Sequence, residues 1–338
     1  MLKKVPTDTA QGDTAVNMSS VTKIFTQWQR ENIGKNVIKN LIKPDKKIIT
    51  ALEDVSFEIN KGEFVAYAGP NGAGKSTTMK LLCGMLLQNS GEISVLGMSP
   101  QQNRTQLMKK LGVLFGNRTE LWWDHPISQS FEWKKTVWNI PDKMYKENLE
   151  MVTELLDIGE HMKTFARELS LGQRMRADLA MMLLHSPKLI LLDEPTLGLD
   201  VVAKRQMIDF LKKLNTENGV TIVVTSHDMD DLEEMAKRIL MISNGKIAFD
   251  GGFDELREIT GNLSRISLTM TDESTPEIIG GNLLSSQKGV FEFEIDLAKL
   301  PVKELLFKIS QIQNVKDVEI KKAPIEEVVS ELYKAWKQ

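Results

Sequence analysis

Gly69-Pro70-Asn71-Gly72-Ala73-Gly74-Lys75-Ser76-Thr77 is the stretch on which the reading of this chain turns. It fits the pattern Gly-x-x-x-x-Gly-Lys-Ser/Thr, in which glycines let several backbone N–H groups turn inward and touch a polyphosphate with no Cβ in the way. Residues 63–68, just before it, are apolar enough for a buried strand, and residues 75–83 place Met79, Leu82 and Cys83 at helical spacing. The loop is therefore predicted between a strand and a helix N-terminus, where the helix dipole and free N–H groups favour anionic oxygens. Lys75 is expected to reach β- and γ-phosphates, and the Ser76 hydroxyl to take a Mg²⁺ position.

Working outward, 338 residues suffice for one large core plus a smaller domain. The formal net charge of -3 does not point to a polyanion-binding surface. Cys83 is the single cysteine and lies on the apolar face of the predicted helix, so it reads as core, with no disulfide framework, as suits the cytoplasm. No apolar run approaches the roughly 18 residues of a bilayer span. Nor do residues 1–13 carry the apolar segment of a secretory signal, so action at a membrane is expected to need another chain to do the spanning.

Residues 1–15 are polar and read as a flexible tail, and 16–25 as an edge strand. Residues 26–49 form a basic insertion, with Arg30, Lys35, Lys39, Lys43, Lys46 and Lys47 around Ile33, Val37, Ile38, Leu41 and Ile42. It is either a short amphipathic helix lying on a partner or on anionic lipid, or a solvated surface insertion. Strands are expected at 51–59, 91–96 and 111–115. Residues 119–187 turn helical, with three- and four-residue apolar spacing at 127–137, 142–156 and 171–184 punctuated by Pro126, Pro141 and Gly159. We read them as a helical subdomain inserted in an α/β core. That core resumes with the uninterrupted apolar run 189–192, a helix at 203–214, a strand at 220–225, a helix at 228–236 and a hairpin around Asn244-Gly245, a pattern that favours a mostly parallel sheet. From 261 onward, strands at 266–270, 290–295 and 315–320 and helices at 302–312 and 325–336 read as a small α+β appendage without chemistry-bearing residues.

Four motifs follow the phosphate loop in order: Leu169-Ser170-Leu171-Gly172-Gln173-Arg174, then Leu189-Ile190-Leu191-Leu192-Asp193-Glu194-Pro195, then Leu197-Gly198-Leu199-Asp200, and then Thr225-Ser226-His227-Asp228. In this order they resemble the nucleotide-binding subunits of ATP-binding cassette (ABC) transporters, over residues 16–260. The resemblance implies an α/β P-loop NTPase core with an inserted helical subdomain and an antiparallel β subdomain, followed by a C-terminal α+β accessory or regulatory domain at 261–338. It also implies an ATPase that uses ATP and Mg²⁺. Gly69, Asn71, Gly72, Gly74, Lys75, Ser76 and Thr77 would then cradle the phosphates. Asp193, at the end of a buried strand, would hold Mg²⁺ together with Ser76. Glu194 would orient and polarise the attacking water, a role typically worth about 10²- to 10⁴-fold. His227 resembles the family's switch histidine, whereas His161 and His185 read as packed core residues.

Ser170, Gly172 and Gln173 resemble the signature motif that grips the γ-phosphate of ATP held by the other protomer, with Asp200 in the loop linking the two sites. Phe25 stands where the family has an aromatic for adenine, and such stacking is worth about 1–3 kcal/mol; Trp28 is its rival. Two positions depart from the family's pattern. Leu171 replaces the commonest glycine, so its side chain must point away from the nucleotide. Asn117, in Phe115-Gly116-Asn117-Arg118, stands where a glutamine reaches Mg²⁺ and senses the transport subunit, and it is one methylene shorter.

The resemblance implies a homodimer and an integral membrane permease. Trp122, Trp123, Phe131, Trp133 and Trp138 cluster where a permease helix docks in the family, although core packing is an alternative for each ring. The Leu121-Trp122-Trp123-Asp124-His125-Pro126 run and the C-terminal Ala323-Pro324-Ile325-Glu326-Glu327-Val328 look like the bacterial branch serving drug, lipid or polysaccharide exporters. The expected location is therefore the cytoplasmic face of the cell membrane, peripherally held, with no nucleic-acid partner. The competing expectations are a soluble ABC ATPase acting on a ribosome or nucleic acid, and a non-hydrolysing ATP-gated binding module.

Overall fold

A computed structural model describes residues 13–29, 45–115, 119–259, 263–272, 276, 280–297, 299–322 and 324–335. The described residues open with β1 (Thr14–Gln29) and β2 (Asp45–Asn60), a long antiparallel pair. Val16, Met18 and Val21 on one strand and Leu52, Val55, Phe57 and Ile59 on the other are buried. That is the alternation expected of a sheet with one covered face. Then come β3 (Phe64–Ala68), the phosphate loop, α1 (Lys75–Leu82), β4 (Ser90–Val95), α2 (Arg104–Met108) and β5 (Leu111–Phe115). β4 joins β1 on its other side, giving a three-stranded antiparallel sheet β2-β1-β4.

The helical block consists of α3 (Ile127–Trp138), α4 (Asp142–Leu155) and α5 (Leu171–Leu183). Pro126 and Pro141 each stand immediately before a helix, in extended conformation. The core resumes with β6 (Leu189–Asp193), α6 (Val201–Asn218), β7 (Thr221–Thr225), α7 (Met229–Met235), β8 (Arg238–Ser243) and β9 (Lys246–Gly252). These build a six-stranded sheet in the order β5-β6-β7-β3-β8-β9, with the pairs from β5 through β8 all parallel. β6 and β7 are buried almost throughout, which is why residues 189–192 read as an unbroken apolar run. His185 is buried with its Nε2 3.1 Å from the Leu111 carbonyl, and burial pushes its pKa down to about 4, as a packed neutral imidazole should behave.

The chain continues through α8 (Phe253–Ile259), β10 (Leu263–Met270), β11 (Gly281–Gln287), β12 (Val290–Asp296), α9 (Val302–Ser310), β13 (Val315–Lys322) and α10 (Ile325–Ala335). The four strands form an antiparallel sheet ordered β11-β12-β10-β13. Ile266, Leu268, Met270, Phe291, Phe293 and Ile295 make its apolar face, which packs with Leu305 and Ile309 of α9. Residues fall into two compact units, one running up to His227 plus Asp231–Asp250, the other Asp228–Asp230 plus Gly251 onward.

Several local expectations need correction. The polar tail does not extend to 15, because Thr14 and Ala15 already belong to β1 and Ala15 is buried. Both flanks of the basic insertion are sheet, since Thr26 pairs with Ile48 and Gln27 with Lys47, continuing the hairpin past the predicted strand ends. The amphipathic segment 33–42 lies outside the described residues. Strand β11 escaped detection because Leu283 and Leu284 are adjacent and both exposed on an edge strand, which erases the period-2 signal. Helices α2 and α8 are too short to show a helical period. No helix among the described residues is long and apolar enough to cross a membrane.

Candidate functional site

The phosphate loop is built on backbone geometry that side chains would spoil. Gly72 and Gly74 have φ of +81° and +120°. A Cβ on Gly69 would meet the Ile242 carbonyl oxygen at 2.4 Å, and one on Gly74 would meet Leu52 Cδ2 at 2.6 Å. Glycine is required at all three positions, for φ or for close approach. Around Gly72 no atom lies within 4 Å of the corresponding point, so the loop presents open space there. Asn71, Gly72 and Ser76 are exposed, Thr77 is half-buried, and Lys75 is buried at the first turn of α1. The Lys75 ammonium donates to the Gly69 carbonyl at 2.6 Å and to Pro70 at 3.3 Å. Burial lowers its pKa, opposed by the nearby carboxylates of Glu194 and Asp193.

The parallel sheet brings the second half of the chemistry to this loop. Asp193 ends β6 and sits in register with Phe115 at the end of β5 and Thr225 at the end of β7. Its Oδ2 accepts the Ser76 hydroxyl at 2.9 Å and its Oδ1 accepts Thr225 Oγ1–H at 2.6 Å. Ser76 Oγ and a carboxylate oxygen thus converge on one spot, a hard-oxygen donor set suited to Mg²⁺. Glu194 follows in the left-handed region at φ +59°, a conformation costing a non-glycine residue on the order of 1 kcal/mol or more. It is held there because its N–H donates both to the Thr225 carbonyl and to Thr225 Oγ1, each at 3.1 Å. The strained turn aims the Glu194 carboxylate at His227, whose Nε2 lies 2.7 Å from Glu194 Oε1. A carboxylate only accepts, so Nε2 carries the proton. Sequence reasoning quoted Thr225 but gave it no role; its signal was a hydroxyl residue at the end of the strand neighbouring Asp193.

The signature stretch is assembled separately. Ser170 is the N-cap of α5, and its Oγ accepts from the Gln173 N–H at 3.2 Å while Gln173 Oε1 accepts from the Ser170 N–H at 2.9 Å. This capping box fixes the start of the helix and leaves the Ser170 hydroxyl hydrogen free to donate. Asp200 caps α6 by accepting from the Ala203 N–H at 2.9 Å. The two caps lie side by side. A Cβ on Gly198, where φ is +74°, would meet Leu171 Cδ2 at 2.8 Å, and one on Gly172 would meet the Ala203 Cβ at 3.4 Å. Leu171 therefore lies along Gly198, which is where its side chain goes in place of the usual glycine.

Phe25 is half-buried on β1, opposite Ile49, with the Lys23 ammonium 5.0 Å from its ring centre. Asn117, and the side chain of Trp28, the rival of Phe25 as adenine platform, lie outside the described residues. In the aromatic cluster, Trp122 and Trp123 are 39% and 49% exposed, whereas Phe131 is 0% exposed. Phe131 is a core residue and drops out of any docking face, because its position on α3 points into the helical block. Trp133 bridges Trp122 and Trp138, with ring centres at 5.7 and 6.4 Å.

Comparison with known proteins agrees with this geometry. Residues 52–197 match the ABC transporter family profile. An uncharacterized ABC transporter ATP-binding protein, YhcH of Bacillus subtilis (strain 168), is 30% identical over 287 residues, covering 85% of this chain and 90% of that one. The probable multidrug ABC transporter ATP-binding protein YbhF of Escherichia coli (strain K12) is 32% identical over 220 residues, 65% of this chain and 38% of YbhF. A dimeric post-hydrolysis state of the ATP-binding cassette MJ0796 bound to ADP and Pi superposes with a TM-score of 0.58 at 25% identity, over 70% of this chain and 98% of that one. The chain belongs to the ABC transporter ATP-binding proteins: it is an ATPase subunit of a transporter, working on ATP with Mg²⁺.

Proposed function

We propose that two copies of this chain close around two ATP molecules, that each copy's Ser170, Gly172 and Gln173 complete the site on the other's phosphate loop, and that closure drives separately encoded membrane subunits in export. Lys75 and the backbone N–H groups of residues 71–77 bind the β- and γ-phosphates, and Phe25 supports the adenine. Ser76 and Asp193 hold Mg²⁺, which offsets charge on the phosphate oxygens when bound. Glu194 orients the attacking water and receives its proton at Oε2, the oxygen not taken by His227. His227 keeps its Nε2–H poised between Glu194 and the γ-phosphate. The pairing of His227 Nε2 with Glu194 Oε1 at 2.7 Å carries this assignment, because it gives the base an oriented carboxylate next to a proton donor.

The dimer reading is supported by a belt of apolar side chains beside the signature helix: Leu171, Leu197, Val201 and Val202 are exposed, Val201 at 84%. It is also supported by the dimeric state of the MJ0796 cassette. The export direction leans on the likeness to YbhF, whose own name is that of a multidrug transporter subunit. Exposed Trp122 and Trp123, backed by Trp133, supply the docking face for the membrane subunit, which holds the protein peripherally at the cytoplasmic face of the membrane. In this reading residues 16–260 are the cassette and 261–338 an accessory domain.

Glu194→Gln tests the reading. It keeps an acceptor for His227 but removes the base, so the variant should dimerise on ATP while turnover falls at least about 10²-fold. A Glu194→Gln protein that stays monomeric with saturating ATP and Mg²⁺, by light scattering and with its copurifying membrane subunit present, refutes the closure mechanism.

A further inference from the structure

A buried carboxylate outside the nucleotide site joins the two halves of the cassette. Asp178 lies on α5, two turns past the signature serine, and is only 7% exposed. Its Oδ1 accepts the Thr119 hydroxyl at 2.9 Å and the Glu120 N–H at 3.0 Å. Thr119 and Glu120 are the first described residues after β5, whose last residue, Phe115, stands in register with Asp193. The same loop is tied to α3, because Glu120 pairs at 2.8 Å with Lys134, whose ammonium lies 3.9 Å from the Trp138 ring centre. Next, the Trp122 N–H donates to Ser130 Oγ at 2.9 Å, and the Arg174 guanidinium lies 5.0 Å from the ring centre of Trp123. The described part of the loop, from Thr119 on, is therefore pinned by Asp178 to the signature helix and ends in the exposed tryptophans, and the last strand residue before it, Phe115, stands beside Asp193.

We infer that Asp178 is a positioning residue that locks the loop 119–123 to the signature helix, so that closure at Ser170 and displacement of Trp122 and Trp123 are one motion. A solvated loop would otherwise slide over α5, because Thr119 and Glu120 are themselves exposed. Two hydrogen bonds to a single buried oxygen fix its register, and bonds to a charged acceptor are the strong kind. This inference rests on the proposed role of Ser170, and its test separates the two.

Amide hydrogen exchange would be followed in the full chain carrying Glu194→Gln, with and without ATP and Mg²⁺, across residues 119–124 and 170–176. In the parent, both stretches should gain protection together. Adding Asp178→Ala should leave the gain at 170–176 and abolish it at 119–124, whereas Asp178→Asn, which keeps the Oδ1 acceptor, should retain both. Thr119→Val cuts one of the two bonds from the loop side without touching helix packing, and should lower the 119–124 response. In the hydrolysing protein, Asp178→Ala should reduce kcat roughly tenfold with the KM for ATP within about twofold, since the phosphate loop is untouched. A 119–124 response that survives Asp178→Ala, or an Asp178→Asn protein as impaired as Asp178→Ala, overturns the inference. No ATP response at 170–176 in the parent would instead count against the role of Ser170 itself.

Discussion

The carboxylates of Asp193 and Glu194 are answered from within the chain by Ser76, Thr225 and His227, whereas Ser170 and Gln173 answer each other and Asp200 caps its own helix. The first cluster sits at the ends of neighbouring parallel strands whose bodies are buried; the second is rimmed by exposed Leu171, Leu197, Val201 and Val202. The contrast separates the half proposed as catalytic, whose contacts folding alone completes, from the half proposed as binding, with a donor hydroxyl and apolar surface left exposed. Burying such a rim would contribute to association at roughly 25 cal/mol per Å² of apolar area, before the costs of ordering.

The hardest test of that contrast is complementation. Lys75→Ala disables the catalytic half and Ser170→Ala the binding half, each expected to lower turnover by about 10²-fold or more. In a mixed pair, the intact phosphate loop of the Ser170→Ala copy faces the intact signature of the Lys75→Ala copy. Mixing the two inactive proteins should thus raise phosphate release at least about tenfold above either alone. Simple additivity on mixing would mean that both halves act within one chain.

Within the catalytic half, the 2.7 Å pair predicts a graded response. His227→Ala removes the donor to Glu194 and should lower kcat by about 10²-fold, while His227→Gln returns an N–H of similar reach and should recover part of the loss. Steady-state phosphate release decides it; equal loss in both variants would show that the imidazole does more than donate one hydrogen bond.

The two halves also differed in how legible they were. The phosphate loop, β6 and His227 could be read from sequence because each obeys a local rule: glycines where φ is positive, an apolar run ending in a carboxylate, a histidine past a strand end. Strands β5, β6 and β7 came out within a residue of their expected bounds for the same reason. What stayed hidden was pairwise and long-range. Thr225 acts on Asp193 only because β7 is its neighbour in the sheet. Leu171 could be said to avoid the nucleotide, but that it lies along Gly198 depends on two loops meeting. Asp178 gave no local sign, since its partners are nearly sixty residues away in sequence. Phe131 was misjudged because aromatics serve core and surface alike, and only burial separates them.

The Leu171 and Gly198 contact gives a smaller, conformational handle on the binding half. Gly198→Ala forces a side chain onto φ +74° and onto Leu171 Cδ2, and should cost about 1–3 kcal/mol. Melting should fall by a few degrees, and Leu171→Ala in the same protein should return the steric part but not the backbone part. If Leu171→Ala gives no relief, the two loops do not touch in solution.

The smallest expected effect belongs to the residue between the halves. Burial raises the Asp178 carboxyl to about 6 from an ordinary 3.8, against the lowering effect of the Thr119 hydroxyl and the Glu120 and Leu121 amides, and with the Glu120 carboxylate adding to the rise. The folded form therefore holds a proton between pH 4 and 6 that the unfolded form has released, so unfolding free energy falls as pH rises through this window and stays lowered above it. The cost at neutral pH is on the order of 1–3 kcal/mol. Asp178→Asn carries no charge to bury, so it should match the wild type below about pH 3.5 and melt a few degrees higher at pH 8, with the gap opening as the acid titrates between about pH 4 and 6. Parallel melting curves across that range would place the carboxyl in contact with water, and would weaken the case that a buried oxygen locks the loop to the signature helix.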